Sequence, residues 1–301
     1  MKFRCILGLA LVALVPSVPT AAQTYPEIVE LSPEARALIG DESFHLPQSE
    51  WRLSSSNEGC SVRRDFKLGD NTVTFVMRRL QPGLPVQYAI IGSEFSVDEP
   101  VEAGFIPGSG LARYTRLANA SFGERDGFVY AGFPYPVAQG ETAADEYALA
   151  PGSRYYVIQG EDADPIVLRT GAIDQALSSL TDCAVEGLIA MGVDLRGPGA
   201  PTRQPGLLND EIIDARLRVA YPGSAVRDGR QGPVLLRLIV DPEGEVTYCH
   251  VASYLTARVL RDTACATLRE YGELEPASDR DGNPTTGFFV QRVIFHIRNP
   301  Y

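Results

Sequence analysis

Beyond residue 22 the chain holds one lysine, Lys67, and three histidines, His45, His250 and His296. Arg64 stands three residues before that lysine, so no Ser-x-x-Lys pair exists to activate a serine. Neither Cys-x-x-Cys nor His-x-x-x-His spacing occurs, which leaves a metal ion without a ligand set. Pro107-Gly108-Ser109-Gly110 lacks the first glycine of a nucleophile elbow and reads as a loop. Acidic groups such as Glu161, Asp162 and Asp164 read as a solvated loop. His250 and His296 fall in strand-like stretches and read as sheet positions. No catalytic residue, cofactor or metal is expected. The formal net charge is −11, with no evident Lys/Arg cluster to offset it, which argues against a phosphate-backbone surface and against nucleic acid as partner. With 45% apolar and 22% charged residues the composition is that of a globular protein.

A long hydrophobic run is also lacking. Met1–Ala22 has a basic start (Lys2, Arg4), an apolar run from Cys5 to Val15, and Thr20-Ala21-Ala22 before Gln23. A spanning helix needs roughly 20 apolar residues, so 1–22 reads as a secretory signal cleaved before Gln23. An uncleaved inner-membrane anchor facing the periplasm is the alternative, and only then does the chain touch a membrane.

Without Cys5, four cysteines remain: Cys60, Cys183, Cys249 and Cys265. An exported chain permits disulfides, and four cysteines allow three pairings. The domain division favours Cys60 with Cys183 and Cys249 with Cys265; buried free thiols are the alternative.

Residues 23–195 read as a β-rich domain. Thr72–Arg79 places Val73, Phe75 and Met77 on one face, and Val86–Ile91, Gly127–Phe133, Arg154–Gln159 and Ile166–Arg169 are further short strands. Ser32-Pro33-Glu34 can start a short helix. Ile173, Leu177, Leu180, Ala184 and Leu188 then recur at helical spacing, a closing helix that Cys183 can clamp near Cys60. Residues 196–206, rich in Pro and Gly, have linker composition; ten such residues reach about 31 Å as polyproline II.

Residues 207–301 carry the clearest pattern. Asn209 suits an N-cap before Ile213 and Leu217, and Pro222 stops that helix. Val234, Leu236, Leu238 and Val240 alternate toward a core with Arg237 pointing away, Asp241-Pro242-Glu243-Gly244 makes a hairpin turn, and a strand runs Val246–Ser253. Thr256 caps a helix through Leu260, Ala264 and Leu268, and Gly287–Ile297 is a long final strand. The expected fold class is α+β: a β-rich N-terminal domain with a closing helix, then a small αββαβ domain.

These residues resemble the periplasmic C-terminal domain of TonB-type energy transducers over about residues 209–298. The likeness rests on Tyr221-Pro222, Gly232-x-Val234, Glu243-Gly244-x-Val246, Leu260 with Ala264-Cys265, and Glu275-Pro276-Ala277. Two departures stand out. Gly272-Glu273-Leu274-Glu275-Pro276 occupies the frame of the family's Trp-Arg-Phe-x-Pro, and Arg218-Val219-Ala220 stands where Gln-Pro precedes Tyr-Pro. Both bear on partner recognition more than on fold.

The resemblance implies a periplasmic binding protein that captures an extended segment of an outer-membrane transporter by β-strand addition. Neither the long Pro-rich segment nor the evident anchor of those transducers is expected here. The candidate edge is Gly287–Ile297, with Val290, Arg292, Ile294 and His296 on one face and Phe289, Gln291, Val293, Phe295 and Ile297 on the other. The aromatics on the second face serve equally as core. Two alternatives stand: an envelope scaffold or adaptor that pairs with itself as a homodimer, and a hydrolase with its site in the N-terminal domain.

Overall fold

The computed structural model describes residues 27–297 apart from 57–58, 83, 93–98, 116–117, 123–124, 137–145, 162 and 252–257. The expected leader, Cys5 and Gln23, and the expected helix cap Thr256, lie outside the described residues. The chain is mixed α and β, with many antiparallel strands and few helices. None of the described helices is long and apolar enough to cross a membrane.

Two antiparallel sheets form the first half. One runs in the order Ile28–Val29, Leu111–Tyr114, Val101–Ile106, Tyr155–Gln159, Ile166–Leu168. The other runs Leu46–Pro47, Gly59–Leu68, Asn71–Arg79, Val86–Ile91, Arg125–Gly132, Ala118–Phe122, with Arg52–Ser56 also paired to Gly59–Leu68. Alternation buries Val73, Phe75 and Met77 against Phe105, Tyr156 and Ile158 of the facing sheet. Across the gap the hydroxyls of Tyr130 and Tyr156 lie 2.6 Å apart, and burial raises both phenol pKa values. These two polar tips in the aromatic core thus partner each other.

Ser32 caps helix α1 (Pro33–Gly40): its hydroxyl accepts the Ala35 N–H at 3.1 Å, with proline in the first turn. Ala35 packs with Leu111, Val157 and Val167 on the outer face of the first sheet. Helix α2 (Asp174–Ala190) closes the sandwich with Ala176, Leu177 and Leu180. It is pinned to Gly59–Leu68 by the Cys60–Cys183 disulfide, and Arg79 donates to the Thr181 hydroxyl at 2.6 Å. Gly59–Leu68 and Val101–Ile106 are strands that the sequence pattern did not mark. In the first, Arg63, Arg64, Asp65 and Lys67 interrupt the apolar run, yet Cys60, Val62 and Phe66 alternate inward.

Segment 196–206 is bonded along its length. The Asp194 carboxylate accepts the N–H groups of Arg196 and Gly197, which holds its pKa below the usual range. Thr202 and Arg203 donate their N–H groups to the Ser278 carbonyl at 2.8 and 3.1 Å, and Gly206–Leu207 pairs with Leu274–Glu275. The reach of an extended spacer therefore does not describe this segment.

In the last third, strand β1 (Gly232–Val240) lies between β2 (Val246–Val251) and β3 (Gly287–Phe295), all antiparallel. Helices α3 (Asp210–Val219) and α4 (Arg258–Tyr271) cover one face through Ile213, Leu217, Leu260, Ala264 and Leu268. Asn209 stands at the N-cap position of α3, but its side chain does not cap. It reaches α4 instead, donating to the Tyr271 carbonyl at 2.8 Å and accepting the Glu273 N–H at 3.0 Å.

Candidate functional site: an open sheet margin

The three-stranded sheet has two margins, and its chemistry follows from which main-chain groups point outward. Antiparallel neighbours alternate hydrogen-bonded and non-hydrogen-bonded pairs. Pro233, which has no N–H, faces Ile294, so Pro233–Ile294 is a non-bonded pair, and Val234–Val293, Leu236–Gln291, Leu238–Phe289 and Val240–Gly287 are the bonded ones. Phe288 agrees, because its N–H points outward to the Gln204 side-chain oxygen at 3.2 Å. By the same parity the N–H and C=O groups of Val290, Arg292 and Ile294 point away from β1. Among the described residues no strand pairs with β3 on that side.

Three of the four residues expected at the edge therefore lie on this margin. Val290 is half-buried, Arg292 is exposed, and Ile294 is 63% exposed, a large apolar side chain left in water. Among the described residues one side chain bonds the outward groups of this run, Gln291 Nε2 donating to the Arg292 carbonyl at a long 3.3 Å. His296 is a correction: β3 ends at Phe295, and His296 follows it as an exposed residue outside the strand. At Ile297 the N–H is held by Gln231 Oε1 at 3.1 Å, so the chain is already leaving the ladder. The opposite face of β3 is core, with Val293 and Phe295 buried and Phe289 packed beside them.

The motif residues support this margin rather than line it. Tyr221 meets the Phe295 ring edge-on at 5.3 Å and donates its hydroxyl to the Arg230 carbonyl at 2.8 Å, and burial raises its pKa. Pro222 starts the short helix Gly223–Arg227. Gly232 takes φ +127° where β1 begins, and Gly244 takes φ +86° in the hairpin, where an added Cβ meets the Leu274 carbonyl oxygen at 2.7 Å. Pro276 separates the short strands Leu274–Glu275 and Ala277–Ser278. Gln204, which caps the start of the margin, carried no sequence signal; nothing in a Pro/Gly-rich stretch marks a side chain that bonds a strand 84 residues away.

The second sheet face meets the first half of the chain. Ile239 and Phe288 pack against Leu188 and Val193 at the end of α2. Arg237, expected to point away from the core, does leave the helical face, but it is only 3% exposed: its Nη1 donates to the Leu80 carbonyl at 2.9 Å and its guanidinium sits 5.8 Å from the Tyr248 ring. The sheet is thus backed on both faces, and β3 presents its margin from a fixed base.

The Cys249–Cys265 disulfide ties β2 to α4 at the other margin. Among the described residues no group of three or more His, Cys, Asp or Glu is placed to hold a metal ion.

Neither the curated proteins nor the solved structures contain a match to this chain. Residues 218–297 match the family model described as the Gram-negative bacterial TonB protein C-terminal, and this part of the chain, less than half of it, is a TonB C-terminal domain.

Proposed function

We propose that the protein is an exported envelope binding protein whose β3 margin receives an extended peptide by strand addition, the peptide coming from the N-terminal segment of an outer-membrane transporter. The role is one of binding rather than catalysis. The observation that carries this reading is the run of outward main-chain groups at Val290, Arg292 and Ile294, unpaired by any described strand and beginning where Gln204 ends its cap. Main-chain bonds supply affinity in such an addition, and pockets for alternate side chains supply selectivity. Arg292 favours a peptide with an acidic residue in register, and Ile294 favours an apolar neighbour.

The periplasm is the compartment this role requires, with residues 23–195 as a β-rich domain joined through 196–206 to the binding domain. The test is a titration of the isotope-labelled chain with a transporter N-terminal peptide. Amide signals of Val290, Arg292 and Ile294 are expected to move, with those of Val234 and Leu236 steady. Movement spread over the whole sheet, or none, removes the proposal. Concentration-dependent shifts at the same three amides without peptide favour self-pairing through this margin, the scaffold alternative.

A further inference from the structure

On the sheet margin opposite β3, strand β2 and helix α4 leave a cleft of about 440 Å³ between them. The Cys249–Cys265 disulfide and His250 line it. Arg258, Arg261 and Arg269 of α4 line it, and Asp262 is its one carboxylate. Read linearly, three arginines over twelve residues do not stand out. On a helix Arg258, Arg261, Cys265 and Arg269 follow the spacing i, i+3, i+7 and i+11, which puts them on one face. The structure thus gathers a basic cluster that the charge balance of the sequence did not reveal.

Helix α3 shows what an ordinary solvated face looks like in this chain, with Asp210, Glu211 and Asp214 against Arg216 and Arg218. The cleft differs. Three guanidiniums against one carboxylate leave a lining charge of +2, in a molecule whose formal net charge is −11. Arg258 lies 3.7 Å from Asp262, but both side chains are exposed and such a pair is weak. Among the described residues Arg261 and Arg269 have no ion pair, and the Arg261 Nε, shielded from solvent, has no acceptor there. Buried donors are ordinarily satisfied.

We propose that this cleft is an oxyanion site for a phosphate-bearing ligand. A phosphate monoester carries about two negative charges near pH 7 and three acceptor oxygens, which balances the lining and suits the planar fork of guanidinium. One carboxylate balances only half of it. The volume accommodates a small phosphorylated molecule or a lipid headgroup, and the shared chemistry is the phosphate. The cleft lies across the sheet from β3, so it is independent of strand addition and the two sites can be filled together.

The test is calorimetric titration of the oxidised full chain with pyrophosphate, beside co-sedimentation with phosphatidylcholine vesicles with and without phosphatidate. The double variant Arg261→Gln/Arg269→Gln is expected to weaken binding at least tenfold, while Arg280→Gln, on an exposed turn, leaves it unchanged. Binding confined to pyrophosphate marks a soluble phosphate as the source, and binding confined to phosphatidate vesicles marks a headgroup; either supports the site if the double variant loses it. Asp262→Asn serves as a second variant should the double one fold poorly, and raising the lining charge is expected to tighten binding severalfold. Equal titrations in parent and double variant, no gain from Asp262→Asn, or acetate binding as tightly as pyrophosphate overturn the proposal.

Discussion

The Arg237 guanidinium donates to the Leu80 carbonyl at 2.9 Å, so the middle of the C-terminal sheet is bonded to the chain just beyond the strand Asn71–Arg79 of the sandwich. A buried charge is costly unless it is paired or hydrogen-bonded, and here the Leu80 carbonyl meets one nitrogen of the guanidinium and the Tyr248 ring faces the group. Replacing Arg237 with Ala removes that bond and leaves the Leu80 carbonyl without this donor. A hydrogen bond to a charged group contributes about 1.5–3 kcal/mol, so a loss of about 2 kcal/mol is expected in urea unfolding. Calorimetry adds the sharper readout. With the bond gone, the two halves are expected to melt in two transitions where the parent melts in one, and a single unshifted transition refutes the coupling.

The two disulfides are expected to contribute unequally. Their sequence separations are 16 for Cys249–Cys265 and 123 for Cys60–Cys183. In the chain-entropy picture these loops correspond to about 3 and about 5 kcal/mol. Serine pairs at each site, compared by guanidinium unfolding, should rank in that order. Cys60 is buried while Cys183, Cys249 and Cys265 are half-buried, so a dithiol reductant can reach both sulfurs of the second disulfide but only one of the first, and reduction followed by alkylation is expected to label the second pair first.

Acid sensitivity is expected to come from His45. It is 5% exposed, and burial lowers its pKa below the usual value near 6.5, outweighing the backbone of Val167, which acts to raise it. The folded state therefore disfavours the charged ring, and the unfolded chain binds the proton more readily. This contribution is complete above about pH 6.5 and is lost as pH falls below it toward the lowered folded pKa. Urea midpoints at pH 8 and pH 5 should differ more for the parent than for His45→Leu; identical slopes show that another group governs the effect.

Patterns with a period were legible in the sequence: Val234 to Val240 announced a strand, and Leu260, Ala264 and Leu268 the covering helix. The cysteine pairing followed from dividing the chain in two. Features that depend on a remote neighbour were not legible. Arg237 reads only as pointing away from the core until Leu80 is seen behind it, and Gln204 acquires a role only because Phe288 points its N–H outward. The strand Gly59–Leu68 was hidden by charges that the sheet accommodates, Arg64 lying 5.7 Å from the Trp51 ring centre. Which of the three strands was central was likewise a matter of pairing, which no single strand encodes.

The alternation along β3 makes the last prediction, because proline removes one N–H and leaves the rest of the ladder intact. Ile294 points its N–H outward and faces Pro233, so β1 uses nothing from it, and Ile294→Pro is expected to leave the melting temperature nearly unchanged. A bound peptide loses one ladder bond, worth about 1–1.4 kcal/mol, or up to roughly tenfold in affinity. One residue earlier the outcome reverses. Val293 points its N–H inward to Val234 and its side chain into the core, so Val293→Pro should unfold the domain. If instead Ile294→Pro destabilises as strongly as Val293→Pro, β3 has a partner on its outer side and the margin is closed to a visiting strand.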